Sequence, residues 1–321
     1  MKLTARHEGT LLAYLIEILP QQSRTGIKTM LAKGQIVLNG KSVTAFDQPV
    51  KKGDRLEILP KAVSIARATR IDAREDVAKA GINILYEDEY YLVVDKPSGM
   101  LSISSAHGSG GKSVHRGKTL YALLNAYVKI NARMQRKEDL VTGKEPDRST
   151  ARVWVVQRLD KGSSGLVILA KSERAKDLLQ SKWKELVLEY KYVAWLEGNV
   201  EKDSGAIQSW LLENPRSLRM ISSPVEIKDG QLAITHYNVL ERTRHYSQVE
   251  FSLETARKNQ IRVHAQDLGH PVAGDEKYGA RTDPAHRLAL HAHTLVFRHP
   301  FSRKTVRCIS PLPESFSRFS R

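Results

Sequence analysis

The chain has 321 residues, 41% of them hydrophobic, so it can bury a sizeable core and is not disordered as a whole. Lys and Arg total 51 against 35 Asp and Glu, a formal net charge of +16 that points to a polyanionic partner, nucleic acid before membrane. Cys308 is the one cysteine, which excludes an intrachain disulfide and a cysteine-built metal site and suits a reducing compartment. No apolar run approaches the roughly 20 residues of a membrane span. The apolar stretch at 11–19 is short and broken by Glu17, so it is not a signal segment, and a cytoplasmic protein is expected.

In the amino-terminal part, Leu11, Leu12, Leu15, Ile16 and Leu19 fall on one helical face, and Pro20 stops the helix. Ser23 is the expected N-cap of a second helix that Gly34 ends. Its apolar positions are Ile27, Met30 and Leu31, and Arg24, Lys28 and Lys33 are left as a basic stripe. Residues 36–38 then run into Asn39-Gly40, a strong hairpin signal. Val43 and residues 54–59 supply further short strands, with Gly53-Asp54 as the turn before the last. Two short helices and a small sheet make residues 1–60 a module near the lower limit for folding alone. Residues 61–80, rich in Lys, Arg and Ala, read as a linker that contains at most a short helix and has little to bury.

Beyond it, residues 82–85 and 91–94 read as strands around the acidic turn Glu87-Asp88-Glu89, and Lys96-Pro97-Ser98-Gly99 as a tight turn. Residues 101–118 read as a Gly-, Ser- and His-rich loop. Residues 120–128 read as a helix with Leu120, Leu123, Leu124 and Tyr127 on one face, and residues 131–150 as a loose polar segment. Within the first loop, residues 106–113 fit a relaxed phosphate-cradle pattern ending in Gly111, Lys112 and Ser113. Such a cradle needs a helix opening at the Lys, and apolar periodicity resumes only at Leu120, so no nucleotide site is expected there.

The centre of the chain is the stretch 153–171. Apolar runs at 153–156 and 166–170 have the content of strands buried on both faces. Between them lie Arg158, Asp160 and Lys161 and a Gly-Ser-Ser-Gly turn. A carboxylate so placed loses solvation unless a cation or hydrogen-bond donors hold it. Ser172 then caps a helix running to residue 188, with Ala175, Leu178, Leu179, Trp183 and Leu186 inward. Residues 190–195 form a strand with Tyr190, Tyr192 and Ala194 on one face. Strands follow at 234–240 and 248–253, and residues 255–264 open a helix bearing Arg257, Arg262 and His264. Residues 274–279 are a charged turn, and 288–297 the last core segment, with His291 and His293. The three histidines have no carboxylate or cysteine at ligand spacing, so they read as structural and no metal is expected.

These stations, in this order, resemble the RluA-type family of RNA pseudouridine synthases. The resemblance rests on Arg158-Leu159-Asp160 with Ser164-Gly165-Leu166 and Ala170; on Tyr192-Val193-Ala194 with Gly198; and on Gln260-Ile261-Arg262-Val263-His264. Val94, Lys96-Pro97 and Gly99 flank these on one side, and Gly274-Asp275, Tyr278-Gly279, Leu290-His291-Ala292, Phe297 and His299-Pro300 on the other. The likeness covers roughly residues 82–312. It departs at Gln157 and Asn259, where the family usually has His, at Ala256, where Gly is usual, and at Ser163, where Thr is more common. Residues 1–60 are similar to the alpha-L RNA-binding module in Ser23-Arg24, the run to Gly34, Val37 to Gly40 and the segment around Gly53-Asp54.

What the resemblance implies is an α+β chain. An alpha-L module at 1–60 and a linker at 61–80 precede a catalytic domain at 81–321 with a large mixed, mostly antiparallel sheet flanked by helices and loops. It implies an isomerase that turns uridine in RNA into pseudouridine, with no cofactor, since nothing leaves and no redox change occurs. Ribosomal RNA is the expected partner and transfer RNA the other candidate, for a chain acting as a monomer. Asp160 is the implied catalytic carboxylate and Arg262 its basic partner; Tyr192 is the ring that stacks on the uracil and could help remove the proton from C5, with Ile261 beside it. Asp160 could attack C1′, add to C6 or take a ribose proton. Arg158 either enters the space left by a flipped-out base or makes a phosphate or structural ion pair. Arg24, Lys28 and Lys33 would bind phosphates. A non-catalytic RNA-binding or ribosome-assembly factor is the rival reading.

Overall fold

The computed structural model of the chain describes residues 1–103, 119–142, 145 and 151–320. The residues divide into two compact units, Met1–Lys79 with Asn125–Ala151, and Ala80–Leu124 with Arg152–Arg321.

The first unit begins with β1 (Lys2–Thr4), β2 (Gly9–Thr10), α1 (Leu11–Ile18), α2 (Arg24–Ala32), β3 (Ile36–Leu38) and β4 (Lys41–Ser42). It continues with β5 (Pro49–Val50), β6 (Arg55–Ile58) and α3 (Lys61–Lys79). A four-stranded sheet in the order β1-β6-β3-β4 and the pair β2-β5 pack with α1 and α2 around Leu11, Leu15, Ile27, Leu31, Ile36 and Leu56. Ser23 caps α2 as its sequence position predicts, its Oγ accepting from the Gly26 amide at 3.0 Å. Asn39 and Gly40 both take positive φ, 50° and 82°, the backbone a two-residue hairpin turn with the twist of its strands requires.

Two segments are more helical than expected. Residues 61–79, read as a linker, form a helix of 19 residues. Val63, Ala73 and Val77 are buried along it, apolar positions too sparse to stand out in an Ala- and Arg-rich stretch. Helix α4 (Leu120–Thr142) runs well past residue 128, so most of the expected loose segment is helical. Met134 is buried on α4, Gln135 Nε2 donates to Asp139 Oδ1 at 2.9 Å, and Arg70 of α3 pairs with Glu138. The cradle-like pattern at 106–113 lies outside the described residues.

The second unit is built on one large sheet. Its elements are β7 (Asn83–Glu87), β8 (Tyr91–Lys96), β9 (Trp154–Val155), β10 (Ser164–Ala170), α5 (Glu173–Ser181), α6 (Trp183–Leu186) and β11 (Val187–Glu197). They continue as β12 (Ser204–Glu213), β13 (Met220–Ser223), β14 (Gln231–Arg242), β15 (Tyr246–Leu253), α7 (Gln260–Asp267), β16 (Leu290–Arg298) and β17 (Thr305–Ile309). The strand order is β13-β12-β14-β15-β11-β16-β10-β8-β7, with β17 added to β16 and β9 to β10. Every described pairing is antiparallel except β10 with β16, so the sheet is mixed and mostly antiparallel.

At that parallel junction Gly165 faces Ala292 with φ of 107°. A Cβ there would stand 2.2 Å from the Ala292 carbonyl oxygen, so no other residue fits. Strand β10 is buried along its whole length, as its apolar run predicts. Strand β9 is only two half-buried residues, because it pairs with the end of β10 alone. The helix after Ser172 breaks at Lys182, and Val187 already belongs to β11. Strands β12, β13 and β17 are additions that the sequence reading did not mark. Among the described residues, no helix is long and apolar enough to cross a membrane.

Candidate active site

Asp160 sits in the loop between β9 and β10, and backbone carbonyls of that loop are tied to the turn after β8. Ser98 Oγ donates to the Gly162 carbonyl at 2.5 Å, the Gly99 amide to Lys161 O at 2.8 Å and Ser102 Oγ to Leu159 O at 2.8 Å. Lys96 lies beneath, fully buried, donating to the carbonyls of Ser163 at 2.6 Å, Met100 at 2.9 Å and Pro97 at 3.0 Å. Burial pulls its ammonium down to about 8 and Arg287 adds to the effect, while the Asp160 and Asp95 charges oppose it. Lys96 entered the sequence reading only as part of a flanking signature. A lysine that closes an apolar strand and precedes Pro-Ser-Gly was the available signal.

The carboxylate meets two donors at one oxygen. Arg262 Nη1 donates to Asp160 Oδ2 at 3.2 Å, and Asn259 Nδ2 donates to the same atom at 2.5 Å. Arg262 is itself held from behind. Its Nε and Nη2 donate to Asp275 Oδ2 and Oδ1, both at 2.6 Å, a bidentate pair in fork geometry. The Asp275 side chain is 1% exposed, Arg262 14% and Asp160 31%, so the charges step from a sealed anchor to an open end. Burial alone would lower the Arg262 guanidinium, but its bonds to Asp275 and the charge of Asp160 raise it well above its ordinary value. It therefore stays cationic at any working pH.

Tyr278 closes the back of the cluster. The Arg262 guanidinium lies 4.9 Å from its ring centroid. Its hydroxyl accepts from the Met220 amide at 3.0 Å and donates to Asn259 Oδ1 at 3.2 Å. Asn259 adopts a left-handed backbone with φ of 53° immediately before α7, which is why that helix opens at Gln260 and not at Thr255. Asn259, Asp275 and Tyr278 were not among the residues assigned to the site from sequence. Asn259 was visible only as a departure from the family pattern. The need of a buried arginine for a second carboxylate was the signal for Asp275.

Tyr192 is buried on β11, its ring centroid 4.8 Å from that of Tyr190. Tyr190 is fixed by its hydroxyl, which donates to Leu166 O at 3.0 Å and accepts from Gln157 Nε2 at 2.9 Å. Burial pushes the Tyr192 phenol well above its ordinary value, helped by Tyr190 and by the negative charge of Asp160. Ile261 is buried in the first turn of α7 beside Arg262. Arg158 is exposed two residues before Asp160, and among the described residues it makes no hydrogen bond or ion pair. In the first unit, Arg24, Lys28 and Lys33 are exposed on or next to α2, and the Lys28 ammonium lies 5.0 Å from the Phe46 ring centroid.

The buried histidines are engaged by the fold. His264 shares hydrogen bonds with Thr235 Oγ1 at 2.7 Å and Ser209 Oγ at 3.0 Å, and burial lowers its ring to about 4. His291 meets Ser164 Oγ at 2.7 Å and is likewise lowered to about 4, mainly by burial. Among the described residues no group of three or more His, Cys, Asp or Glu could hold a metal ion.

The family model for RNA pseudouridylate synthase matches residues 90–267, a span that contains Asp160, Tyr192 and Arg262. The chain belongs to this family. A pseudouridine synthase of Bacillus subtilis (strain 168) is 33% identical over 92% of this synthase and 88% of its own length. A ribosomal large subunit pseudouridine synthase D of Haemophilus influenzae is 29% identical over 94% and 87%. In solved structures, human RNA pseudouridylate synthase domain containing 4 shares the fold, with a TM-score of 0.54 and 21% identity over 79% of this synthase and 97% of that chain. Human RNA pseudouridylate synthase domain containing 1 gives a TM-score of 0.52 at 23% identity, over 72% and 84%.

The synthase is thus an isomerase acting on RNA. Its reaction breaks the N1–C1′ bond of a uridine, turns the uracil and joins C5 to C1′. C5 loses a proton and N1, freed from C1′, gains one, so atoms and oxidation state balance without a co-reactant.

Proposed function

We propose that the enzyme isomerises specific uridines in ribosomal RNA, with Asp160 as the catalytic carboxylate, Arg262 as its cationic partner and Tyr192 as the stacking ring. The observation that carries this reading is the bond of Arg262 to Asp160, backed by the sealed Arg262–Asp275 pair. Attack at C1′, addition at C6 and abstraction of a ribose proton all need a negative carboxylate, and Arg262 sets an opposite charge 3.2 Å from it. A Tyr192 phenol so reluctant to ionise is a poor base for the C5 proton, and we assign it the stacking role.

The target base must leave its stack to meet Asp160, at a cost of a few kcal/mol. Arg158, exposed beside Asp160, would fill the vacated space or bind the adjoining phosphate. Residues 1–60 would act as an alpha-L module whose Arg24, Lys28 and Lys33 neutralise phosphates of folded RNA. The net charge of +16 and relatives named as acting on the large ribosomal subunit favour ribosomal over transfer RNA. We further infer a cytoplasmic monomer.

Asp160→Asn keeps the side-chain shape and removes the charge. The expected result is retained RNA binding with no pseudouridine formed, and product at the wild-type rate would refute the assignment. Mapping pseudouridines in ribosomal and transfer RNA from cells with and without the gene identifies the substrate. No site lost from either RNA would show that neither is the substrate.

A further inference from the structure

One hydrogen-bond chain in the site has a direction at every link. An ionised Asp160 carboxylate can only accept, so the Asn259 amide gives it an N–H and turns Oδ1 to the Tyr278 hydroxyl, which accepts from the Met220 N–H and donates its own hydrogen to Oδ1. That fixes the amide: Oδ1 faces Tyr278 and Nδ2 faces Asp160, where it donates to Oδ2 at 2.5 Å. Arg262 Nη1 arrives at the same oxygen from α7. Among the described residues Asp160 Oδ1 receives no hydrogen bond, so one carboxylate oxygen is doubly held and its twin is open.

The backbone supports this arrangement. Asn259 is one of few residue types tolerated in the left-handed region, and with φ of 53° it places its short amide across from the Asp160 loop. The family resemblance puts His at this position, another side chain with an N–H donor and enriched in the same backbone region. We propose that Asn259 is a positioning residue that, with Arg262, pins Oδ2 of Asp160 and leaves Oδ1 as the oxygen presented to the uridine. The proposal rests on Asp160 being the reacting carboxylate and adds which of its atoms reacts and what aims it. The amide bond is neutral and does not titrate, so the aim holds across the pH range in which the carboxylate is charged.

The test is steady-state kinetics on a uridine-containing RNA with Asn259→Gly, Asn259→Asp and Asn259→His, alongside Asp160→Asn. Glycine accepts the left-handed backbone but has no donor. Its kcat should fall about tenfold to hundredfold, the worth of one hydrogen bond to a charged group, with KM within about twofold. Aspartate keeps the shape of the amide but sets a like charge against Asp160, so it should lose at least as much kcat, again without a KM change. It also carries the test if the glycine variant does not fold. Histidine restores a donor and should recover kcat to within about threefold of wild type. Wild-type kcat in both the glycine and aspartate variants, or a loss confined to KM, would overturn the proposal. Failure of histidine to exceed glycine would also count against it. An active Asp160→Asn would instead overturn the assignment of the carboxylate itself.

Discussion

Arg262→Lys probes the electrostatic anchor of the site because it keeps the charge and removes the fork. In the native protein three N–H groups of one planar side chain reach two carboxylates, two of them to Asp275 at 2.6 Å and one to Asp160 at 3.2 Å. A lysine ammonium is a point charge on a flexible stem, and it cannot serve both faces of the cluster in this geometry. With Asp275 sealed at 1% exposure, the ammonium will go to the deeper charge, and Asp275 keeps one bond of its two. Asp160 is then left without its cationic partner. At about 1.5 kcal/mol for each missing charge-assisted bond, the two together cost roughly 3 kcal/mol. The whole pair, broken at one partner, would cost about 3–5 kcal/mol. Urea denaturation should therefore show a stability lower by roughly 3 kcal/mol with an unchanged slope against urea. The effect at Asp160 should appear as a kcat lower by about tenfold to hundredfold. A variant within about 1 kcal/mol of wild type in stability and within threefold in kcat would refute the idea that this fork holds the site together.

Two other predictions concern RNA binding and pH. Replacing Arg24, Lys28 and Lys33 together by Gln should weaken RNA binding and lower the slope of log affinity against log salt by about 2, near 0.7–0.9 for each phosphate no longer neutralised. An unchanged slope in filter binding would show that these side chains touch no phosphate. His264 and His291 are held neutral by burial, each lowered from 6.5 to about 4. The folded state binds fewer protons than the unfolded chain in that window, so the stability tied to these rings is present above pH 6.5 and lost as pH falls through 4. Urea midpoints measured from pH 7 to pH 4 should fall steadily, and a flat profile would contradict the neutral buried rings.

The elements legible in the sequence are those that local physics decides. Ser23 caps a helix because its hydroxyl meets an amide three residues on, and Asn39-Gly40 makes a hairpin because its backbone tolerates positive φ. The run through 166–170 is a buried strand because so short and continuous an apolar stretch, with turn residues before it, suits a buried strand better than a helix. Elements held by partners far away in sequence were not legible. The helix at Lys61–Lys79 has a sparse apolar face that only its packing reveals, and Arg70 finds Glu138 across 68 residues. Strand β9 shrank to two residues because a strand lasts only as long as its neighbour offers hydrogen bonds.

The site divides the same way. The ordered motifs, through the family likeness they carry, named Asp160, Tyr192 and Arg262 as residues of a shared chemistry. What the motifs could not carry was atomic direction. That Arg262 turns two nitrogens to Asp275 and one to Asp160, and that Asn259 takes the remaining approach to Oδ2, depends on side chains 13 to 102 positions apart meeting at fixed angles. Residue type fixes which bonds a group can make, and only the folded backbone decides which partner comes within reach.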